Sequence, residues 1–557
     1  MSNRGYPFVS FPLKAASCLR FPLVAVLASF LLIGPQNSFG SETVGFVVKS
    51  PLYRTNLGIN NLGADAADVR ILLQDNIGQL VAQGTLQVAG LGFVNVSDVV
   101  SFLAGRPFEI EFEGFVRIES SANIAAFAAQ ILNETNDPGF IASVREGVTD
   151  VLLPVTTSID PWRSSLAIVN LAGTPTTVRL ALFEASGNLV AAMERVLEPN
   201  SQWTTLDVHA ELGLQGVRGH LEVQSLDAKP LAVVCRHSHV HTRQSVFQQP
   251  CDLKKASRVF YLPYSSAAGL QRNWVVLSNP GGEAATVNLL SLAASGIPIG
   301  EASRVLPAHG SVQFAESELF AVAPDSQGLI RGSSSTIVCG MAMNADLSSG
   351  DTIHTSAITE FSPELLIPSA TRLGAFSSSL LLANLGEMVS PVQLLSRKPD
   401  GSQAGTSVTA AIPAGGTVQI DKVLPLLGIS EGYGPLEVRS GNGQPIAAFS
   451  QVANISGSAR GLLNVLDIRP VARKRRGEFF TLRWRYHPLE IPRIREYRIY
   501  LADKASRVYR QVASVPPVEL QFSMQAGEIG EFVVLVKAFD GTLESAPSNE
   551  VLLEVRP

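Results

Sequence analysis

Charged residues are scarce in this chain of 557 residues: only 16% are Asp, Glu, Lys or Arg, whereas soluble domains usually carry about 25%. Hydrophobic residues make up 46%, and a disordered chain has the opposite balance, so disorder is excluded. The net charge of −5 gives the protein no electrostatic reason to bind nucleic acid or an acidic membrane surface. We therefore expect a folded chain with several hydrophobic cores.

Catalytic motifs are also missing from the sequence. It contains no H-E-x-x-H, G-x-S-x-G or G-x-x-x-x-G-K-[ST] pattern, and no calcium-binding loop of spaced Asp residues with a terminal Glu. Its 48 Asp and Glu residues, spread over several domains, leave few for paired catalytic carboxylates. The sequence therefore predicts that the protein is not an enzyme.

The N-terminal segment 1–40 is typical of a secretory signal peptide. A basic stretch precedes the uncharged apolar run 21–34, and small residues flank a cleavage site before Ser41. The run is shorter than the roughly 20 residues that a membrane-spanning helix needs, and Cys18 precedes it, which argues against a lipoprotein signal. We expect an exported protein, secreted, periplasmic or at the cell surface, that is not embedded in a membrane once the signal is removed.

Four features recur in register along the chain and define a repeat. They are an Asn that ends an apolar stretch, a Pro sixteen residues earlier, an acidic residue before a short apolar segment, and a Gly that opens an alternating segment. Their positions are Asn61, Asn170, Asn279 and Asn384; Pro154, Pro263 and Pro368, with Gly45 in the first copy; Asp98, Asp207, Glu316 and Asp421; and Gly114, Gly219, Gly328 and Gly434. The offsets of 105–109 residues are long enough for each unit to enclose its own core. They predict four domains arranged as beads on a string, at 41–150, 151–259, 260–364 and 365–472.

Within each unit, apolar and polar residues alternate, which is the pattern of half-buried β-strands. In the second copy the segments 165–170, 177–183 and 219–225 alternate, and turns rich in Gly, Asn and Pro separate them. This predicts an all-β chain of four homologous β-sandwiches. The acidic residue of each unit suits the N-cap of a short helix, where its carboxylate accepts backbone N–H groups. The units resemble, in general terms only, the sandwich repeats of exported bacterial surface proteins, and no site residue follows from that likeness.

The last segment, 477–557, does not follow the repeat. Its strand-like segments are 482–484 (LRW), 496–500 (EYRIY), 532–540 (FVVLVKAFD) and 544–551 (ESAPSNEV). In these segments it resembles a fibronectin type III domain. The resemblance implies that Trp484 lies in the core between two sheets, and that the domain is an extracellular spacer or binding module without catalysis. One departure is Phe532, which stands where that family usually has a Tyr whose hydroxyl bonds back to the main chain.

The second repeat holds the group of residues with the strongest ligand chemistry. In the segment 235–241 (CRHSHVH) a Cys and three His occupy alternate positions, so on a strand they would project from one face. Imidazole and thiolate groups bind zinc or copper, which makes His237, His239 and His241 a candidate metal site. Alternate residues on a strand lie about 7 Å apart, which allows two but rarely three of them to share a metal. The alternative is a polar, solvated face of an edge strand.

Three cysteines remain after removal of the signal: Cys235, Cys251 and Cys339. An odd number allows at most one disulfide within the chain, and an oxidising compartment favours it. Cys235 and Cys251 lie in the same repeat and are the candidate pair, although the sequence leaves open whether they join. Such a bond would prevent Cys235 from binding a metal. Cys339 aligns with Cys235 between repeats, so we expect it to be a small buried apolar residue.

Two further segments are of functional interest. The basic segment 473–476 (RKRR) is expected to be a solvated linker, with a processing site or a contact for an anionic polymer as the alternative. The loops that differ most between repeats follow the strands that begin near Ile124, Leu231, Ile337 and Ile446. Variable loops on a rigid scaffold are typical of binding surfaces, and neutral drift is the competing explanation.

Together these features favour an exported, non-enzymatic, multi-domain protein that acts as an extracellular or cell-surface adhesion, scaffold or ligand-binding element. Its partner would be an extracellular protein or a polysaccharide, and it would need no cofactor. The alternative is an exported metal-binding or hydrolytic enzyme, centred on the His-rich strand of repeat 2 and using zinc or copper.

Overall fold

The structure is a computed structural model that describes residues 39–105, 111–265, 271–315, 318, 320, 327–346, 352–359, 361–454, 460–463, 465–467, 471–483, 494–504, 508–519, 521–542, 544 and 551–556. The apolar run of the predicted signal peptide, Glu316 and Trp484 lie outside these residues. Among the helices in the described ranges, none is long and apolar enough to cross a membrane.

Each repeat folds into two packed antiparallel sheets built from eight strands, named a to h in chain order. One sheet has the strand order a-f-c-d and the other has the order e-b-g-h in all four repeats. In repeat 4 the ends of strands a and b also pair, which joins its two sheets into one. Strands a to h of repeat 1 are β1 (Phe39–Lys49), β2 (Tyr53–Asn61), β3 (Ala67–Asp75), β4 (Leu80–Val88), β5 (Phe93–Val96), β6 (Phe112–Ser120), β7 (Ile124–Leu132) and β8 (Pro138–Ala142). Those of repeat 2 are β9 (Asp150–Thr157), β10 (Trp162–Asn170), β11 (Thr176–Phe183), β12 (Leu189–Leu197), β13 (Gln202–Thr205), β14 (Arg218–Ser225), β15 (Leu231–His239) and β16 (Ser245–Gln248).

Repeats 3 and 4 follow the same plan. Strands a to h of repeat 3 are β18 (Val259–Ser265), β19 (Gln271–Ser278), β20 (Ala285–Ala293), β21 (Pro298–Leu306), β22 (Ser311–Ala315), β23 (Gln327–Ser334), β24 (Cys339–Asp346) and β25 (Thr352–Ser356). Those of repeat 4 are β26 (Glu364–Leu373), β27 (Phe376–Asn384), β28 (Ser390–Arg397), β29 (Gln403–Ile412), β30 (Thr417–Ile420), β31 (Gly432–Ser440), β32 (Ile446–Asn454) and β33 (Arg460–Leu463). Short strands β17 (Cys251–Asp252) and β34 (Leu466–Asp467) pair with strand a of repeats 2 and 4. The predicted all-β array of four homologous sandwiches is confirmed.

The recurrent Asn is a structural residue. The Oδ1 atom of buried Asn170 accepts a hydrogen bond from the N–H of Ala172 at 2.9 Å. Its Nδ2 atom donates to the carbonyl oxygens of Thr174, Leu197 and Glu198 at 2.9–3.2 Å. The side chain thus ties the turn between strands b and c to the end of strand d. Asn61 and Asn384 make the same set of contacts. The recurrence of Asn in the sequence therefore reflects a requirement of the fold.

Short helices follow strand e, and the predicted acidic caps hold at two of them. The carboxylate of Asp98 accepts from the N–H of Ser101, and that of Asp207 accepts from the N–H groups of His209 and Ala210. The prediction is wrong for Asp421, because the helix begins one residue later with Lys422 at its N-cap and no side-chain bond there. The helices are α1 (Val99–Ala104), α2 (Val208–Glu211) and α3 (Val423–Leu426).

The last domain is a separate sandwich. Strands β36 (Phe479–Arg483) and β39 (Gln521–Gln525) pair with each other. The other sheet has the order β35 (Val471–Arg475), β41 (Val551–Arg556), β40 (Gly530–Phe539), β37 (Glu496–Asp503) and β38 (Arg510–Val515). Tyr497 is the largest buried side chain of its core, and Phe532 packs against the same core. The fibronectin type III-like sandwich expected from the resemblance is therefore confirmed as a fold.

The basic segment 473–476 is mostly part of this domain. Strand β35 runs parallel to β41, with Arg473 opposite Glu554 and Arg475 opposite Arg556. Lys474 Nζ also lies 2.7 Å from Glu478 Oε1. The prediction of a solvated linker is wrong for residues 473–475, because their main chain completes a sheet edge.

The four repeats close into a ring, so the expectation of beads on a string is wrong. The turn between strands c and d of every repeat carries a Gly with positive φ that lies against a carbonyl oxygen of the next repeat. A Cβ atom on Gly78, Gly187, Gly296 or Gly401 would lie 2.4, 1.9, 2.0 or 1.9 Å from the carbonyl oxygen of Asn200, Ala308, Ala414 or Gly90, respectively. The last of these contacts joins repeat 4 back to repeat 1. Only a closed ring makes all four.

Apolar side chains fill the interfaces between repeats. Ala167 and Val234 of repeat 2 join the core of repeat 1, whereas Val155 of repeat 2 packs with Val276 and Met341 of repeat 3. Similar clusters join repeat 3 to repeat 4 and repeat 4 to repeat 1, and they include Tyr261, Ala383 and Phe449, and Phe127 and Val452. Asn60 Nδ2 of repeat 1 also donates to Pro368 O of repeat 4 at 3.2 Å. The strands therefore bury a second apolar surface outside each sandwich core, which a repeat length alone does not reveal.

A disulfide joins Cys251 of repeat 2 to Cys339 of repeat 3, and Cys235 is a buried free thiol. The predicted Cys235–Cys251 pair is therefore wrong, as is the expectation that Cys339 is a small apolar residue. The error is one of register: strand pairing places Cys339 opposite Ser278, a position equivalent to that of Ala232 in repeat 2. The alignment used for the prediction was three residues out, and it hid a bond between repeats.

Replacing Cys251 and Cys339 together with Ser is expected to lower the free energy of unfolding by about 2–4 kcal/mol, because the bond restricts a long loop of the unfolded chain. The two cysteines are 88 residues apart in sequence. Urea denaturation without reductant measures the change, and Cys235→Ala, which keeps the disulfide, is the matched control. A peptide crosslinked through Cys235 in a non-reduced digest would contradict the assignment.

Candidate functional site at the centre of the ring

The four h strands lie next to one another at the centre of the ring. Strand β16 contacts β8 and β25, and β33 contacts β25 and β8. Their pairing with the g strands makes four residues equivalent: Phe140, Phe247, His354 and Leu462. A Cβ on Gly139 would meet the ring of Phe247 at 2.6 Å, and one on Gly461 would meet the ring of Phe140 at 2.9 Å. Each aromatic ring therefore leans over a Gly of the preceding repeat.

A cavity of about 460 Å³ lies beside these strands. Repeats 1, 2, 3 and 4 all contribute to its walls. The apolar lining includes Phe140, Ile141, Val233, Val234, Phe247 and Leu462, and the polar lining includes Ser143, Arg145, Gln248, Gln249, Asp252, Lys255 and His354. Clefts of roughly 300–1,000 Å³ with apolar walls and a few polar groups are typical of small-molecule sites.

His237 lies behind the polar side of this cavity, in contact with the lining residue Gln248. The side chain is 2% exposed, with Nδ1 at 3.0 Å from Ser164 Oγ and Nε2 at 3.1 Å from Gln248 Oε1. Burial lowers the pKa of His237 to about 4, so the imidazole is neutral near pH 7. A neutral ring that donates from Nε2 to Gln248 accepts at Nδ1 from Ser164, which satisfies both nitrogens.

Two lining groups next to His237 have polar atoms without partners. Gln248 is 2% exposed, and its Nε2 atom has no hydrogen-bond partner among the described residues. His354 is 8% exposed, its ring centre lies 4.9 Å from that of His237, and its Nδ1 atom likewise lacks a partner in the described part of the chain. Burial lowers the pKa of His354 well below its usual value, and His237 and Arg218 add to this shift. The packing around His237 thus encloses two polar atoms that are buried without a hydrogen-bond partner among the described residues.

The structure does not bring the three predicted metal ligands together. His237 points into the interior, whereas His239 packs against Trp162, with ring centres 5.2 Å apart, and His241 lies beyond the end of the strand. The Nδ1 atom of His239 accepts from the N–H groups of His241 and Thr242. Within the described ranges, no three His, Cys, Asp or Glu side chains are placed to hold a metal. Zinc or copper binding stays a prediction without support from this geometry.

The competing prediction, a solvated face of an edge strand, is wrong. Strand β15 pairs with β10 on one side and β16 on the other, so it lies inside its sheet. Sequence reasoning singled out His237 but missed Gln248 and His354, which belong to no motif. Only the register of strand h against strand g shows that they meet.

A second group of histidines lies at the junction of repeats 2 and 3. Phe183 is stacked between His220 and His309, with ring centres 5.4 and 4.9 Å away. His220 is fully buried, neither of its nitrogens has a partner among the described residues, and burial together with His309 lowers its pKa to about 4. Glu222 Oε1 lies 3.4 Å from His309 Nδ1. This junction therefore contains His237 beside His354, and His220 and His309 on opposite faces of Phe183.

Comparisons with known proteins add little beyond the fold. No protein-family model and no curated protein matches the chain. Similar solved structures include Thermotoga maritima 1070, which is 14% identical with a TM-score of 0.18 and coverage of 19% of this chain and 96% of that one. Fibronectin(III)-like modules of Clostridium thermocellum CbhA match at 15% identity and a TM-score of 0.13, covering 16% and 88%. The FN1–FN3 domains of chicken CNTN1 match at 12% and 0.12, covering 53% and 98%. Likeness this weak implies nothing about function.

Proposed function

We propose that the protein is an exported, non-enzymatic scaffold and ligand-binding element. The ring is its rigid platform, the central cavity is its small-ligand site, and the last sandwich is a spacer or a second binding module. The closure of the ring through Gly401 and Gly90 supports this proposal most directly.

Closure matters because a string of sandwiches bends at every junction, whereas a ring has no free terminal interface. Apolar clusters fill the junctions, and a disulfide crosses the one between repeats 2 and 3. A rigid body of this kind holds its surface loops at fixed spacings, which suits the recognition of a large partner. The proposed partner is an extracellular protein or a polysaccharide, and no cofactor is proposed.

Export is tested first, with a C-terminally tagged chain in the cell from which the sequence comes. We expect the protein outside the cytoplasm, with Ser41 as its first residue after signal removal. Full-length protein that stays in the cytoplasm with its N-terminal 40 residues attached would overturn the proposal.

Surface binding is tested with fluorescent beads coated with residues 41–557 and incubated with the same cells. Retention of these beads above that of beads coated with albumin supports an adhesion or scaffold role. Beads carrying Gly401→Ala, in which the ring is expected to open, should be retained less. Equal retention of albumin and wild-type beads would contradict the binding role.

A further inference from the structure

We infer that a cleft between repeats 3 and 4 binds a neutral pyranose unit of a polysaccharide. The cleft encloses about 270 Å³ and shares only Leu462 with the central cavity, so it is a second site. The inference rests on the ligand-binding role proposed above and deepens it, because it gives the proposed polysaccharide partner a chemical class and a place. The composition of the walls, their free polar atoms and the side chain that fills the equivalent space elsewhere in the ring support it.

The walls of the cleft combine uncharged polar groups with apolar surface. Both repeats contribute amide and hydroxyl side chains or amides alone, and these residues are Asn273, Asn344, Thr355, Ser379, Gln419 and Gln451. The apolar lining includes Tyr264, Ile353, Leu381, Phe449 and Leu462. A pyranose has hydroxyl groups around its rim and C–H groups on its two faces. The walls therefore match it in both kinds of surface.

Charge is absent from the lining. Among the described residues, no Asp, Glu, Lys or Arg lines the cleft. Two charged side chains contact lining amides: the guanidinium of buried Arg460 donates to Asn344 Oδ1 at 2.6 Å, and the exposed carboxylate of Asp421 accepts from Gln419 Nε2 at 2.6 Å. A charged ligand would lose hydration in the cleft and meet no charged partner on its walls. The cleft therefore favours a neutral ligand.

Three polar side chains of the walls are free to bond to a ligand. Ser379 and Gln451 lie opposite each other on β27 and β32, on the face that points away from the core residues Leu380 and Leu382. The side chains of Ser379, Gln451 and Thr355 have no hydrogen-bond partner among the described residues, and their polar atoms are not sealed from solvent. One amide and two hydroxyls thus present donors and acceptors to adjacent sugar hydroxyls.

The main chain of the repeat 4 wall is already paired. Strand β27 pairs with β30 and β32, and β32 pairs with β27 and β33. An extended peptide is recognised mainly through the free main-chain groups of a sheet edge. This wall presents side chains alone, which favours a ligand rich in hydroxyl groups over a peptide.

The equivalent position between repeats 1 and 2 carries a larger side chain. Arg236 lies opposite Ser165, as Gln451 lies opposite Ser379, and each Ser stands five residues before the recurrent Asn of its repeat. Arg236 is buried, whereas Gln451 is half-buried. Repeat 4 therefore leaves open a space that repeat 2 fills with its own side chain.

The contacts of Arg236 indicate what this space accepts. Its guanidinium donates to Gln130 Oε1 at 2.8 Å and lies over the ring of Phe46, 4.7 Å from the ring centre. The equivalent residues of repeat 3, Asn344 and Tyr264, line the cleft. The space thus suits a flat group that bonds to an amide at its edge and covers an aromatic ring with its face. A pyranose ring has this shape.

The pseudo-symmetry of the ring suggests the informative variants. Gln451→Arg introduces the residue of repeat 2 and should fill the cleft. Gln451→Leu removes the amide at similar volume and adds no charge near Arg460, so it decides the test if the first variant does not fold. Gln87→Arg and Gln87→Leu make the same changes at an exposed position of β4 beside Asp68 and are the matched controls. Thermal melts show whether each variant keeps the fold.

The test is calorimetric titration of residues 41–557 with the methyl glycosides of glucose, galactose and mannose, each up to about 50 mM. We expect at least one hexoside to bind, and its uronic acid and amino-sugar counterparts to bind roughly tenfold more weakly. Both Gln451 variants should lose affinity at least roughly tenfold, and both Gln87 variants should keep it.

Three results would overturn the inference. They are no binding of any hexoside, full affinity in a folded Gln451 variant, and equal binding of a hexoside and its charged counterparts. Titration with N-acetylalanine methylamide tests the peptide alternative: binding of this compound without binding of any hexoside would assign the cleft to a neutral peptide instead.

Failure of this inference is distinct from failure of the proposed function. If no hexoside binds while the protein is exported and its beads are retained by cells, the sugar assignment is wrong and the proposed function stands. If the protein stays in the cytoplasm, the proposed function is wrong whatever the titration shows.

Discussion

Lowering the pH from 6.5 to 5 is expected to reduce the free energy of unfolding by roughly 2 kcal/mol for each of His220 and His237. Both side chains are buried, and burial lowers the pKa of each from 6.5 to about 4. As the pH falls below 6.5, these two histidines bind protons in the unfolded chain. In the folded chain they bind protons only near pH 4. The contribution of these two histidines to stability is greatest above pH 6.5 and decreases as the pH is lowered from 6.5 to 4. Below pH 4 it no longer changes.

The neighbours of these histidines act in both directions. Burial lowers the pKa of His237 most, its hydrogen bond to Gln248 raises it, and the nearby Arg218 and His209 lower it further. Burial raises the pKa of Glu222, which lies beside His309 and acts in the opposite direction because its folded form takes up a proton more readily. The measured slope is thus the sum of opposing groups, and substitutions are needed to isolate the histidines.

Urea denaturation at a series of pH values between 7 and 5 measures the slope. The double variant His220→Phe/His237→Gln introduces the residues at the equivalent positions of repeat 1, Phe115 and Gln130. Its stability should depend much less on pH in this window. His241→Ala, which changes an exposed histidine beyond the end of strand β15, is the control and should retain the wild-type slope. An unchanged slope in the double variant would contradict the assignment.

Gly401→Ala is expected to open the ring and to lower the free energy of unfolding by about 4 kcal/mol, at the upper end of single substitutions. The residue has φ of 83°, and its Cβ would lie 1.9 Å from the carbonyl oxygen of Gly90. The carbonyl oxygen of Gly90 belongs to the main chain and cannot move aside as a flexible side chain can. The junction between repeats 4 and 1 must therefore separate. This junction is the one that neither the chain nor the disulfide bridges.

Small-angle X-ray scattering measures the opening as an increase in radius of gyration, and thermal denaturation measures the loss of stability. Gly428→Ala is the matched control, since Gly428 has φ of 77° in the same repeat but a Cβ there would meet no atom within 4 Å. It carries the conformational cost of a left-handed Ala without the clash. Identical scattering curves for Gly401→Ala and Gly428→Ala would refute ring closure.

The sequence predicted the sandwich fold because local pattern encodes it. The alternation of apolar and polar residues predicted the strands. Asn170 and its counterparts predicted the repeat, because each copy needs the same buried polar contact to close the same turn. The Asp98 and Asp207 caps were predicted for a similar reason, because a cap depends on neighbours only three residues away. Features that depend on residues within one repeat could therefore be predicted from the sequence.

Contacts between repeats could not be predicted from the sequence pattern of a single repeat. The disulfide between Cys251 and Cys339 depends on how two sandwiches face each other, and the alignment of Cys339 was three residues out of register. His354 has no motif around it, and it reaches the cavity only because strand h lies at the centre of the ring. His237 appeared in the sequence as a metal ligand on an open face, whereas packing on both sides of its strand makes it an interior group.

Closure of the ring also bears on how the gene can change. Open strings of domains gain and lose copies by unequal recombination, because each added unit needs only a flexible connection to the last. Here an extra copy would separate Gly401 from Gly90, and a missing copy would leave the remaining junctions unable to meet. The number of copies is thus fixed by the geometry of the ring.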